Sequence, residues 1–350
     1  MIDHMIKLLT LLASVALLST NEVFAQELYA KSDLHELNPS AKTVVWGYYW
    51  AETKPVLHIK SGDRVKIHTL ISNTPNRLEA MGIPPDQIEQ EHRNIQSVRN
   101  RGPGPHILTG PIFIEDAEPG DVLEVRIQSI ELPISYGYNL IGRNGFLSDE
   151  IFVRGARIIR LDKEKGVAYF AHGIEIPLRP FFGSMGVAPP KEVGKISSAP
   201  PWIHAGNLDN KELVAGTTLW IPIHVKGALF HAGDGHAAQG NGEVNLTAIE
   251  TSLIGLFQFI VHKDMTLAWP RAETSTHVIT MGMDRNLTTA TKIAVREMIS
   301  YLASMHNLSE EEAYRLTSIA VDLNITQLVD GNKGVHAMLP KEIFVSNKKN

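Results

Sequence analysis

The chain has 350 residues, 43 % of them hydrophobic and 20 % charged, with a formal net charge of −5. That composition supports a buried core, and Lys and Arg are spread without a basic block, so no nucleic-acid partner is expected. Cysteine is absent, which excludes disulfides, thiolate metal sites and the thiol nucleophile of Cys–Glu–Lys amide hydrolases.

The N-terminus reads as a processing segment. Lys7 gives a positive start, and Leu8 to Leu18 is apolar but short for a membrane span. Val23-Phe24-Ala25 then offers small residues where a signal peptidase reads. Residues 1–25 are therefore expected to be a signal peptide cut before Gln26, leaving a catalytic unit over 26–350. No later apolar run reaches membrane length, so stable membrane insertion after cleavage is not expected, and the mature chain should be periplasmic or secreted.

From Val44 to Pro133 the pattern is mostly strand-like. Val65, Ile67 and Thr69 alternate with Lys66 and His68, and Leu123, Val125 and Ile127 alternate with Glu124, Arg126 and Gln128. Each run follows a Gly-Asp turn, Ser61-Gly62-Asp63 and Pro119-Gly120-Asp121, which is better read as hairpin chemistry than as a repeat. Between them, a short helix is predicted after Pro84-Pro85, ended by Gly102-Pro103-Gly104-Pro105. Residues 134–155 read as a long Gly- and aromatic-rich loop, and RIIRLDKEKGVAYF as a hairpin turning at Gly166. FFGSMGVAPP, at 181–190, reads as a loop outside regular structure.

Strands are expected again at Leu256 to Val261 and His277 to Met281. Thr288 to Met305 carries Ile293, Val295, Met298, Ile299 and Leu302 at helical spacing. Ser309 and Glu312 form a capping box that opens a helix running to about Ile319. Val321, Leu323 and Ile325 then alternate as a strand. The fold expected is α+β and β-rich, a β-sandwich-like core with a few helices late in the chain.

The chemistry concentrates in HAGDGHAAQGNGEVNLTAIE, residues 231–250. With no thiol available, a metal must be held by His, Asp or Glu. Asp234 and His236 lie two apart, and on extended backbone both side chains point to one side and can reach one ion. The surrounding glycines let backbone approach a ligand closely. Glu243 and Glu250 can complete the site or act as base, and Gln239 can fix a substrate or a water. No calcium loop of EF-hand spacing and no cupin order of histidines is present.

His106, in GPGPHILTGPI, and His204, in PPWIHAGNLDN ahead of Asn207 and Asp209, stand in unusual surroundings. His58, His68 and His224 fall in strand patterns and read as packing or solvated residues, and His231 as a flank of the site. Lys195 with Ser197 and Ser198 lacks the Gly-rich serine loop of a Ser–Ser–Lys amidase, and no G-x-S-x-G elbow occurs, which argues against a serine nucleophile.

Taken together the segments resemble the acetamidase/formamidase family. The matching stretches are GPGPHILTGPIFIEDAEPGDVLEV, FFGSMGVAPP, HAGNLDNKELVAGTTLWIPI, GDGHAAQGNGE, RAETSTHVITMG and AVDLNITQLVDGNKGVHAMLPKEIF. They follow the family's order from about Val44 to Phe344. The resemblance implies hydrolysis of a small amide to carboxylate and ammonia, a divalent metal, commonly zinc, and a homo-oligomer. It also adds weight to His106 and His204. Two departures stand out. Asn241 replaces the usual Asp before Gly-Glu, and Leu246 replaces a usual Gly.

On this reading Asp234, His236 and one or both of His106 and His204 hold the ion. Glu243 takes a proton from water and returns it to the departing nitrogen. Asp209 and Glu250 are second-choice ligands or partners that orient a ligating His. Two alternatives stay open: a lactam or longer-amide hydrolase on the same scaffold, with 134–155 lining its pocket, and a non-catalytic exported ligand-binding protein.

Overall fold

The computed structural model describes residues 32–151 and 155–345. The expected signal peptide, 1–25, lies outside the described residues. Two large sheets face each other. Among the described residues, one has nine strands in the order Leu34–Leu37, Arg64–Thr69, Leu253–His262, Val122–Glu131, Thr218–Pro222, Arg271–Glu273, His277–Asp284, Lys333–Pro340 and Asp322–Gln327. The other runs Ile174–Pro177, Val167–Ala171, Gly155–Asp162, Tyr136–Ile141, Glu250–Thr251, Phe230–His236, Phe181–Gly186 and Ala205–Asn207. A branch through Ile107–Ile114, which pairs with Phe230–His236, adds Val44–Trp46 and Leu57–Ile59.

One hydrophobic core joins the sheets. Val65, Ile67, Val125, Phe257 and Phe259 from the first meet Ile112, Phe182, Ala232 and Phe230 from the second. The alternation read in the sequence drives this: along Arg64–Thr69 the buried positions are Val65, Ile67 and Thr69. The fold is thus the expected β-rich α+β sandwich, with its two long helices late, Leu287–His306 and Glu310–Ala320. Ser309 and Glu312 form the expected capping box.

The long helix buries a different stripe from the one its bulky residues suggest. Ala290, Ala294, Met298 and Leu302 are buried, whereas Ile293 and Val295 are only half-buried. The cause is close approach. A methyl carbon on Gly282, in the strand beneath, would stand 2.1 Å from the Ala290 carbonyl oxygen. Thr280 also donates to the Ala294 carbonyl at 2.8 Å. Only small residues fit at positions 290 and 294 of that face.

Three expectations are corrected. The single helix after Pro84-Pro85 is three short pieces, Pro85–Gln87, Gln90–Asn94 and Ile95–Ser97. Ile88 and Glu89 take extended backbone between the first two, which still buries Ile88, His92 and Ile95. The loop expected over 134–155 contains the strand Tyr136–Ile141, paired in register with Gly155–Asp162. The loop expected at 181–190 begins with the strand Phe181–Gly186, buried at every position and hydrogen-bonded on both sides.

Candidate metal centre and active site

The strand Phe230–His236 runs through the middle of its sheet and places most of the site. Its neighbours bring His236 opposite both Glu250 and Phe181, and Gly233 opposite Leu108, two residues past His106. Strand pairing therefore brings His106 and Glu250, distant in sequence, beside Asp234 and His236.

The side chains meet closely. His236 Nε2 lies 3.3 Å from Asp234 Oδ2 and 3.3 Å from Glu250 Oε2. His106 Nε2 approaches the same Asp234 oxygen at 3.7 Å. Two sets of three donors share His236 here: Asp234, His236 and Glu250, and Asp209, His236 and Glu243, each with its donor atoms within 4.8 Å of one another. All five residues are buried.

Each imidazole is oriented from behind. His106 Nδ1 donates to the Ser198 carbonyl at 3.1 Å, which turns its Nε2 toward Asp234. His236 Nδ1 donates to Gln239 Oε1 at 2.9 Å, while Gln239 Nε2 donates to the Asp209 carbonyl at 2.7 Å. The amide read from sequence as a fixer of substrate or water is thus committed at both ends to the protein. Such a partner fixes the tautomer of a metal-binding histidine. Glu250 is pinned through Oε1, which accepts from the Ala248 N–H at 2.9 Å, and Asp209 Oδ2 accepts from Asn207 Nδ2 at 2.7 Å.

The backbone beneath the carboxylates is strained. Asp209, Asp234, Glu243 and Asp330 all have left-handed φ, at 48°, 54°, 44° and 58°. For a residue with a Cβ that conformation costs on the order of 1–2 kcal/mol. Asp234 is therefore not on regular extended backbone, as the i, i+2 argument supposed. It reaches His236 through a left-handed kink within the strand. Gly183 makes the space: a methyl carbon there would lie 2.6 Å from Asp234 Oδ2, 2.7 Å from Asp209 Oδ1 and 2.8 Å from His236 Cε1.

Charge is unevenly shared. Burial alone would raise the Asp234 carboxyl, but the His106 and His236 rings beside it hold it below the usual range. Burial alone would lower His236, and the Glu250 and Asp234 carboxylates instead push it well above its ordinary value. Asp209 and Glu243 are raised well above theirs, by burial first and then by neighbouring carboxylates. A crowd of buried acids with orphan oxygens, Asp209 Oδ1 and Glu243 Oε2 among them, is a site that could hold a cation.

Of the residues singled out in the sequence, His106, Asp234, His236 and Glu243 come together with the second choices Asp209 and Glu250. His204 does not belong to either donor set. Its ring packs edge-on against Tyr49 at 4.9 Å, and His231 flanks the same tyrosine at 5.2 Å. Tyr49 in turn bonds Ser184 at 2.9 Å. Asp330 escaped the sequence reading. It precedes Gly331 in the turn between the last two strands and looks like ordinary turn chemistry, yet its carboxylate faces Asn207 Nδ2 at 3.4 Å.

Both departures from the family pattern are at the site's edge. Asn241 is exposed and faces Asn324 at 3.4 Å. Leu246 has a φ of 99°, a conformation suited to the Gly it replaces, and fits because Gly142 beneath it has no side chain. The floor acids open into a cavity of about 700 Å³, walled in part by Tyr138, Leu140, Leu246 and Leu328.

Comparison with known proteins agrees with the resemblance. The profile of the acetamidase/formamidase family matches residues 40–198 and 195–346. An acetamidase from Bacillus halodurans is similar with a TM-score of 0.75 and 29 % identity, over 88 % of this chain and 98 % of its own. An acetamidase from Yersinia enterocolitica gives 0.76 and 27 %, over 90 % and 94 %. The formamidase of Methylophilus methylotrophus is 25 % identical over 201 residues, 40 % of this chain and 47 % of that protein. The chain spans about half the length of the curated relatives it matches.

Proposed function

Because the chain belongs to the acetamidase/formamidase family, we propose that it hydrolyses the C–N bond of linear carboxamides to carboxylate and ammonia. The observation that carries this reading is the buried set Asp234, His236 and Glu250, whose two carboxylates line a cavity large enough for an amide. The donors fit a divalent ion: His236 presents Nε2 to two carboxylates, Gly183 leaves the room they need, and orphan buried oxygens lie beside them. Imidazole with carboxylates suits zinc. Asp234, His236 and Glu250 would hold it, with His106 turned toward the same Asp234 oxygen. When bound, such an ion polarises a carbonyl and acidifies water.

The protein's own groups do the rest. Glu243, buried with Oε2 unpartnered, takes the proton of the attacking water and returns it to the leaving nitrogen. Gln239 keeps His236 in the tautomer that faces the acids. Zinc-loaded protein should release ammonia from formamide, acetamide or propanamide. No release from any amide across a metal series would overturn the reading, and retained ligand binding would then favour a non-catalytic binding protein.

The size of the cavity favours a second reading, a longer amide or a lactam as the natural substrate. We further infer export, with cleavage before Gln26, and assembly as a homo-oligomer. N-terminal sequencing of the mature protein and sedimentation of the purified chain test these two.

A further inference from the structure

The cavity is far larger than the smallest amides require. At about 700 Å³ it falls within the roughly 300–1,000 Å³ that encloses drug-sized ligands. Formamide or acetamide would leave most of it to water. It is also polar in an ordered way. Asp234, Glu243 and Glu250 form a buried acidic floor, and the half-buried Asp330 adds a fourth carboxylate to the lining. The same lining carries two cations, Arg77, exposed, and Lys333, half-buried. Neither has a carboxylate within ion-pair distance among the described residues, and Glu79, two residues beyond Arg77, pairs with Arg93 at 2.8 Å instead. Leu140, Leu246 and Leu328 supply apolar wall in the same cavity.

We propose that the amide this site takes bears a carboxylate remote from its C–N bond, received by Arg77 and Lys333. The inference rests on the amide-hydrolase reading above. The acids of the floor repel a second carboxylate, so such a molecule has one orientation: neutral amide inward, methylenes along the leucines, charge outward. Guanidinium and ammonium groups make charge-assisted hydrogen bonds to a carboxylate, a guanidinium with two donors at once.

The experiment compares succinamate with succinamide, molecules of near-equal size that differ in charge at one end. Zinc-loaded wild type should favour succinamate in kcat/KM by about tenfold or more at low salt, and the preference should shrink as salt is raised. In Arg77→Gln and Lys333→Gln the ratio of the two substrates should fall toward unity, with the change in KM. Because the ratio is taken within each variant, a general loss of folded or active protein does not imitate this result.

Equal or better use of succinamide by wild type would overturn the inference, as would variants that keep the preference. Turnover of acetamide by wild type reads the reaction class separately. Should no amide be cleaved, calorimetric titration with the intact succinamate decides the inference. Binding lost in both variants supports it, and absence of binding to wild type refutes it.

Discussion

Gly183 offers a sharp test of the candidate metal centre. The substitution Gly183→Ala adds one methyl group whose carbon would stand 2.6 Å from Asp234 Oδ2, 2.7 Å from Asp209 Oδ1 and 2.8 Å from His236 Cε1. Ordinary contact needs about 3.4 Å or more, so these groups must each retreat by roughly 0.6–0.8 Å, whereas metal–ligand distances tolerate about 0.2 Å. The carboxylates cannot swing away easily, since Asp209 and Asp234 sit on constrained left-handed backbone and Asp209 Oδ2 is held by Asn207. Metal affinity should fall by about 100-fold or more, beyond the 10–100-fold that loss of an orienting partner brings. The cost in stability of the metal-free protein should be about 1–3 kcal/mol, as for overpacking elsewhere. Competition with a chromophoric chelator measures the first, and thermal denaturation after metal removal the second. Gly240→Ala, in the same Gly-rich segment but with nothing within 4 Å of the added carbon, is the control. Wild-type affinity in Gly183→Ala would refute the placement of the ion beside these three residues.

Other substitutions separate the remaining roles. Glu243→Gln should keep stoichiometric zinc and lose turnover by at least about 100-fold, and full activity would remove Glu243 as the base. His204→Ala should retain zinc, because its ring packs on Tyr49 outside both donor sets, while His106→Ala should bind it more weakly; elemental analysis after dialysis distinguishes them. Glu89 predicts a pH effect. Burial, with Glu91 adding and the Ser252 hydroxyl opposing, pushes its pKa up to about 7 from 4.5. The folded state therefore keeps a proton that the unfolded chain releases, so this stability is present below about pH 4.5 and is lost as pH rises toward 7. Glu89→Gln should flatten the decline, by on the order of 3 kcal/mol at pH 8. Equal pH slopes in melting temperature for both proteins would contradict it.

What could be read from the sequence was what local physics encodes. Val65, Ile67 and Thr69 alternate because one face is buried, and Ser309 with Glu312 closes a helix start using only its own turn. The strand Phe181–Gly186 was hidden for the opposite reason. Its glycines look like loop punctuation until Asp209, Asp234 and His236 are seen crowding Gly183, and none of these is a near neighbour in sequence. The site divided in the same way. Asp234 and His236 were legible as a pair from their spacing, though a left-handed kink, not an extended segment, joins them. His204 sat in a family element yet faces Tyr49, and Asp330 was indistinguishable from a turn aspartate. Where a side chain points after a positive φ is decided by packing that no short motif carries.

The strand pairings that assemble the centre also set when it can exist. Its acids and histidines run from His106 to Asp330, so a chain still being synthesised cannot present the full set until nearly all of it has emerged. An ion held there would clasp segments joined by very long loops, and would be absent from the unfolded chain. Such a ligand at about 1,000 times its Kd adds roughly 4 kcal/mol to the folded state. The strands it ties belong to the middle of one sheet, whose inner face fills the core shared with the other. Loading of the proposed ion would then be a late, post-synthetic event that tightens the whole sandwich, and a chelator would loosen both sheets at once.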